Sequence, residues 1–338
     1  MVKTTKILIT GISGLLGSTY AKYLINKGGY EVVGIDNMIG GVEGNVPELA
    51  EYIRGDIQDT ELLTELCKDV DTVFHTAALP YEGLSVFSPA CTVNSIVSGT
   101  VSVASACLAN DVRLLINCSS MARYGDQSPP FTEDMPRKPV DPYGLAKAQA
   151  EEHLEMLNEI HGLNFVTVVP HNVIGVGQRY YDPFRNVVGI MINRVLQGKP
   201  IIIYGDGEQK RSFSNVYDCI QAVFKIMTSD RNLAKEVVNI GPDDNEITIK
   251  ELAYKIGHHC NKYPALDYFP DRPREVKNAY CSSDKVRQQF NYNATITTDK
   301  TLEEMIAWIK PRVRDFEYHL PLEFTTEQTP KTWTDKLI

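Results

Sequence analysis

One glycine-rich turn constrains this chain more than any other stretch. It reads Lys6-Ile7-Leu8-Ile9-Thr10-Gly11-Ile12-Ser13-Gly14-Leu15-Leu16-Gly17-Ser18. A short apolar run predicts a buried strand, the glycines predict a turn, and the residues after them predict a helix. The three glycines have separate uses: one permits the tight turn, one lets backbone N–H groups approach a pyrophosphate, and one lets helix and strand pack closely. A phosphate there sits at the positive end of the helix. The next apolar run, Tyr30–Asp36, predicts a second strand ending in an acid. Asp36 lies 19 residues beyond Gly17, close to the spacing of about 20 for a carboxylate on an adenosine ribose.

The alternation continues. A polar loop spans 37–44, and a short strand at Tyr52–Arg54 leads to Gly55-Asp56-Ile57. A helix is expected at Thr60–Cys67, a strand at Val70–His75 ending in Thr76-Ala77-Ala78, and a long helix at Ala90–Asn110. Another strand, Val112–Asn117, closes in Cys118-Ser119-Ser120. Strands alternating with helices imply a parallel, doubly wound α/β sheet covered on both faces. Ligands of such sheets lie beyond the carboxyl ends of the strands, where Gly11, Asp36, Ala77 and Ser120 stand. His75, inside a strand, reads as a packed residue rather than a ligand.

Composition excludes several classes of function. A net charge of −9 leaves no basic stripe for nucleic acid or an anionic membrane. No run of 18 apolar residues occurs, so no segment is expected to span a bilayer. The N-terminus enters a strand at once, without the pattern of a signal peptide. Seven scattered cysteines without CxxC pairs suggest reduced thiols, not a disulfide or zinc framework, and no metal site is expected.

A second constellation is Tyr143-Gly144-Leu145-Ala146-Lys147, at the start of a helical pattern. Residues four apart share a helical face. A lysine ammonium beside a phenol favours the phenolate, lowering its pKa from about 10 and making a base near neutral pH.

With these residues together, the chain resembles the extended short-chain dehydrogenase/reductases of the nucleotide-sugar epimerase/dehydratase family. The likeness covers about 6–312. It implies a Rossmann domain at 1–170 with returning segments at about 207–242. A smaller, discontinuous α/β substrate-binding domain follows at 171–206 and 243–315, with a tail at 316–338. The resemblance implies NAD as cofactor, with Gly11, Ser13, Gly14, Leu15, Leu16 and Gly17 forming its loop. Asp36 would meet the ribose and Asp56 and Ile57 the adenine, with Asn37 also in the cofactor set. Ala77, Ala78, Asn94 and Pro170 complete the implied cofactor set, with Tyr143 and Lys147. Asp36 should favour NAD over NADP, because a 2′-phosphate would meet its carboxylate.

The catalytic set implied is Ser120, Tyr143 and Lys147. Tyr143 would take a proton from a sugar hydroxyl while the neighbouring carbon passes hydride to NAD. Ser120 would hydrogen-bond the same oxygen, and Lys147 would hold the ribose. Ser120 and Tyr143 thus also contact substrate. The other implied substrate residues are Asn172, Asn186, Val187, Ile203, Tyr204, Arg211, Arg272 and Ala279. Arg211 and Arg272 would hold a diphosphate through their forked donors. Arg274 stands where the family commonly has glycine, and His171 where it has an aromatic; His171 reads as a packed or substrate-facing residue. Ala279 would gate the space beside the sugar, leaving room for a 2-acetamido group or another enlarged hexose.

The implied activity is oxidation at C4 of a nucleotide-diphosphate sugar, with 4-epimerisation as the leading outcome. A C4 dehydrogenase releasing the ketosugar fits the same residues. A 4,6-dehydratase fits less well, because Met121-Ala122 stand where that branch has Asp-Glu. A non-catalytic NAD sensor is the reading outside enzymology. The family also implies a cytoplasmic homodimer serving polysaccharide biosynthesis. Its four-helix interface would draw on Val97, Val101, Ala104, Cys107 and Leu108.

Overall fold

The computed structural model describes residues 4–338. Seven parallel strands form the central sheet: β1 Thr5–Thr10, β2 Tyr30–Asp36, β3 Glu51–Arg54, β4 Thr72–His75, β5 Leu114–Cys118, β6 Phe165–Pro170 and β7 Glu236–Ile240. Their order is β7-β6-β5-β4-β1-β2-β3. The order reverses at β1, which pairs with β2 on one side and β4 on the other. A crevice therefore opens beyond Thr10, where the glycine turn lies.

Side chains alternate across each strand, and two cores result. Ile7, Ile9, Val32 and Phe74 pack on one face with helices Leu15–Lys27 and Val216–Met227. Leu8, Val33, Ile35 and Val73 pack on the other with Leu63, Val103 and Leu154, from helices Thr60–Leu66, Gly99–Ala109 and Pro142–His161. The chain leaves the sheet after β6 and returns with Val216–Met227 and β7. A third core gathers helices Val187–Leu196, Ile249–His259 and Thr298–Ile309 around strand Ile201–Tyr204.

The long helix expected at Ala90–Asn110 runs from Pro89 to Ala109, with a π-helical segment at Asn94–Ser98 between two α-helical parts. It is also long and apolar enough to cross a membrane, contrary to the expectation from contiguous apolar runs. Ser and Thr residues interrupt those runs without making the helix polar. Its buried side packs on the sheet as a layer of this fold.

The tail folds back on its own chain. The Glu317 N–H donates to the Tyr181 carbonyl at 2.9 Å, and the Glu323 carboxylate accepts the N–H groups of Ala90 and Cys91. Trp333 is buried edge-on against Phe87 and Phe184.

Candidate active site

The glycine turn takes its shape from contacts that no larger residue would allow. Gly11 has φ +73°, and a Cβ there would lie 2.8 Å from the Ala77 backbone nitrogen. Gly14 caps helix Leu15–Lys27 without any side-chain hydrogen bond, so the N–H groups of the first turn are left for a ligand. Gly17 does not face the cavity; its missing Cβ lets the helix lie against the Gly11 backbone. Ser13 is likewise buried beneath the turn and acts through its backbone, donating N–H to Asp36 Oδ2 at 3.0 Å. Asp36 Oδ1 accepts the Met38 N–H at 2.8 Å. Asn37 Nδ2 donates to Asp56 Oδ2 at 2.8 Å, linking the ends of β2 and β3.

These strand ends open into one cavity of about 640 Å³. Along it lie Gly11, Gly14, Leu15, Leu16, Asp36, Asn37, Asp56, Ile57, Ala77, Ala78, Asn94 and Pro170. Ser120, Tyr143 and Lys147 line it too, as do Asn172, Asn186, Val187, Tyr204, Arg211 and Arg272 from the chain after β6. The cradle fits a dinucleotide: a helix N-terminus without a capping side chain, a turn that excludes Cβ atoms, and a carboxylate at the second strand end.

Besides Ser13 and Gly17, two expected substrate residues fall outside the cavity. Ile203 is fully buried in the third core, while its neighbour Ile202 faces the cavity. Ala279 packs with Tyr124, Phe131, Val276 and Cys281, so it does not gate a sugar. Its strand, Asn278–Ala279, pairs beside Lys210–Arg211, which directs the side chain into a core. His171 is fully buried beneath Gly241, which places it among packed residues. His75 is packed too, its ring bridging Thr10 and Thr100 hydroxyls at 2.7 and 3.0 Å; burial pushes its pKa down to about 3.

The catalytic helix Pro142–His161 starts at Asp141, whose Oδ1 accepts the Gly144 N–H at 2.9 Å. Tyr143 N–H donates to Ser85 Oγ at 3.1 Å. Burial raises the Tyr143 pKa well above the usual phenol value. A hydrogen bond with Ser120 opposes that shift, while Cys118, Glu82 and Asp141 add to it. Burial thus outweighs the lowering expected from Lys147. Its Nζ donates to the Cys118 carbonyl at 2.7 Å, so the cation is committed to the strand end beside Ser120. Burial also lowers the Lys147 pKa. Ser120 caps the turn after β5, accepting the Ala122 N–H at 3.2 Å. The preceding Ser119 hydroxyl donates to Glu151, which is also paired with the buried Arg123 at 2.9 Å.

The arginines occur as expected but already have partners. Arg272 donates from Nε and Nη2 to Glu275, both at 3.0 Å, and lies over the Tyr204 ring. Arg211 donates to the carbonyls of Lys210, Val276 and Lys277, with Glu275 at 3.7 Å. Arg274 has φ +64°, a left-handed conformation that glycine adopts most easily, and it lines the cavity. Sequence reasoning missed Glu82, Asp141 and Trp333, all in the cavity wall. Asp141 had a signal, an acid immediately before Pro142 at a helix start.

Residues 7–241, well over half of the chain, match the family model described as the NAD dependent epimerase/dehydratase family. A candidate UDP-glucose 4-epimerase of Methanocaldococcus jannaschii is 30% identical over 309 residues, covering 90% of this chain and 98% of its own. The UDP-glucuronic acid 4-epimerase of Bacillus cereus, solved with UDP-glucuronic acid and NAD, superposes with a TM-score of 0.86 at 28% identity. That match covers 91% of this chain and all of the other. The UDP-N-acetylglucosamine 4-epimerase of Methanobrevibacter ruminantium M1, solved with UDP-N-acetylmuramic acid, gives 0.84 at 28%, covering 92% and 99%.

Proposed function

The chain belongs to the NAD-dependent epimerase/dehydratase family, and from that premise we propose that it is a nucleotide-sugar 4-epimerase acting by reversible hydride transfer at C4. The observation that carries this is the meeting of Ser120, Tyr143 and Lys147 on one wall of a cavity. The glycine turn, Arg211 and Arg272 line the same cavity. NAD, when bound, supplies the hydride acceptor and a cationic ring.

Tyr143 moves the proton of the sugar hydroxyl, and Ser120 holds the same oxygen as it becomes a carbonyl. Burial favours the neutral phenol of Tyr143, and a cation beside it would favour the phenolate that accepts the proton. Lys147 fixes the Cys118 carbonyl and with it the strand end that carries Ser120. Elimination across C5 and C6 would need proton-transfer groups on the turn after Ser120, and Met121 and Ala122 provide none.

The test is incubation with UDP-, GDP- and dTDP-hexoses, following the C4 epimer by NMR and NADH by absorbance. Tyr143→Phe should bind NAD and lose turnover. Stoichiometric NADH with a released 4-ketosugar would refute epimerisation in favour of dehydrogenation. Full activity of the phenylalanine variant would remove Tyr143 from the chemistry.

The homodimer belongs to this proposal, with altered contacts. Ala104 and Cys107 are buried in the second core and cannot reach a partner. Val97, Val101 and Leu108 are half-buried, and Val93, Leu145 and Met156 add exposed apolar surface on the same pair of helices. A monomeric mass by light scattering at micromolar concentration would contradict the dimer. Seven free cysteines suit a reducing cytoplasm.

A further inference from the structure

The tail at 316–338 reaches the cavity that Tyr143 lines, and the epimerase chemistry gives it no part. Within it only Thr329, Thr332 and Trp333 are buried. Thr332 and Trp333 lie in the short helix Lys331–Thr334. Trp333 is 5% exposed and still lines the cavity. An otherwise exposed segment that buries one indole ring is anchored by that ring.

The anchored tail holds two stretches of the cavity lining together. The first lies between β4 and β5. There Glu323 accepts the N–H groups of Ala90 and Cys91 at 3.0 and 2.7 Å, and Leu320 and Leu322 pack with Leu79, Tyr81 and Leu84. The second follows β6. There the Tyr204 and Thr332 hydroxyls share a hydrogen bond, and Arg194 donates to the Leu337 carbonyl at 2.8 Å. Leu79, Cys91, Arg194 and Tyr204 all line the cavity.

Trp333 also stands beside an arginine expected at the diphosphate. A Cβ on Gly83, in the helix Glu82–Ser85, would lie 3.2 Å from Trp333 Cη2 and 3.3 Å from Arg272 Nη1. The indole edge and the guanidinium thus converge on one glycine. Arg272 lies over the ring of Tyr204, whose hydroxyl is bonded to Thr332. Among the described residues, Gly11, Asp36 and Asp56 form no hydrogen bond or ion pair with the tail.

We propose that Thr332 and Trp333 build the part of the sugar-nucleotide site beside Arg272, so that substrate binding depends on them and NAD binding does not. The inference rests on reading this cavity as a nucleotide-sugar site. Trp333 is a binding residue, giving apolar surface next to the diphosphate. Thr332 is a positioning residue, acting through Tyr204 on Arg272.

The experiment keeps the full chain, loaded with NAD, and compares Trp333→Ala, Trp333→Phe and Thr332→Val with the parent. Calorimetry gives Kd for NAD and for UDP-glucose, dTDP-glucose and GDP-mannose, and NMR of the C4 epimer gives KM and kcat. For each sugar nucleotide that the parent binds, Trp333→Ala should raise Kd and KM by about tenfold or more, as loss of a buried aromatic contact does. Trp333→Phe should recover part of that loss. Thr332→Val should raise both by about threefold, the effect of one hydrogen bond. The Kd for NAD and the saturating kcat should stay within about twofold of the parent, the pattern of lost binding rather than lost chemistry. Thr332→Val leaves the tryptophan anchor in place, so it tests the idea even if Trp333→Ala misfolds.

A parental substrate Kd in Thr332→Val, or in a Trp333→Ala whose circular dichroism matches the parent, overturns the proposal. So does an equal loss of NAD and substrate affinity, which would mark both residues as packing alone. If the parent binds NAD but none of the sugar nucleotides, the nucleotide-sugar reading itself fails, and this inference falls with it.

Discussion

Replacing Asp141 by Asn should change how stability depends on pH. Asparagine caps helices about as well as aspartate, so the hydrogen bond to Gly144 N–H can persist while the charge is removed. In the folded protein the Asp141 carboxyl is pushed up from 3.8 to about 7, first by burial and then by the Glu82 carboxylate, against the N–H groups of Gly144 and Tyr143. The folded state thus holds this proton more tightly than the unfolded chain does. The resulting stabilisation is complete below pH 3.8 and is lost as pH rises through about 7. A difference of roughly three pKa units at about 1.4 kcal/mol each sets an upper bound of about 4 kcal/mol. The variant has no such group, so its stability relative to the parent should climb between pH 4 and 7 and level off above. Urea unfolding of both proteins across that range is the assay. Parallel pH profiles would show that Asp141 ionises normally in the fold and would refute the electrostatic argument. In a Glu82→Gln background the climb should shrink, because the second cause of the shift has been removed.

Asp36→Ala should narrow the preference for NAD over NADP, since it removes the carboxylate and frees the Ser13 and Met38 N–H groups for a 2′-phosphate; dissociation constants for both nucleotides are the check, and tighter NADP binding by the parent would sink the assignment. Arg211→Ala and Arg272→Ala should each weaken sugar-nucleotide binding by about 2–5 kcal/mol. Parental affinity in both would place the diphosphate elsewhere. Ala279→Tyr should lower stability by about 1–3 kcal/mol through overpacking beside Tyr124 and Phe131. A parental melting temperature together with altered sugar choice would restore Ala279 to the substrate wall.

The parts of the fold legible in the sequence are those fixed by short-range chemistry. The glycine turn, the acid ending β2 and the Tyr143–Lys147 spacing each sit within one or two elements. Helix Thr298–Ile309 opens on a polar first turn that apolar periodicity does not reveal. Its signal was Thr297, whose side chain accepts the Lys300 N–H. The π-helical segment at Asn94–Ser98 had no comparable cue. It brings Asn94 and Ser95 to the cavity, and Ser95 Oγ accepts the Leu79 N–H at 3.0 Å.

The site residues that escaped are placed by parity and by distant packing. Ile201–Tyr204 is a strand, so Ile203 and Tyr204 point to opposite faces, and both could not line one cavity. The buried face belongs to Ile201 and Ile203, which pack among the apolar side chains of the third core; Ile202 and Tyr204 then turn to the cavity. That correction was available from the strand period alone. Glu82 is different in kind. Nothing in its neighbours along the chain marks it, and its place beside Tyr143 depends on Ser85 reaching a backbone N–H 58 residues away. Chemistry carried by such a residue becomes visible only when the tertiary contact that positions it is known. The substrate wall is accordingly the part of this site that its motifs describe least.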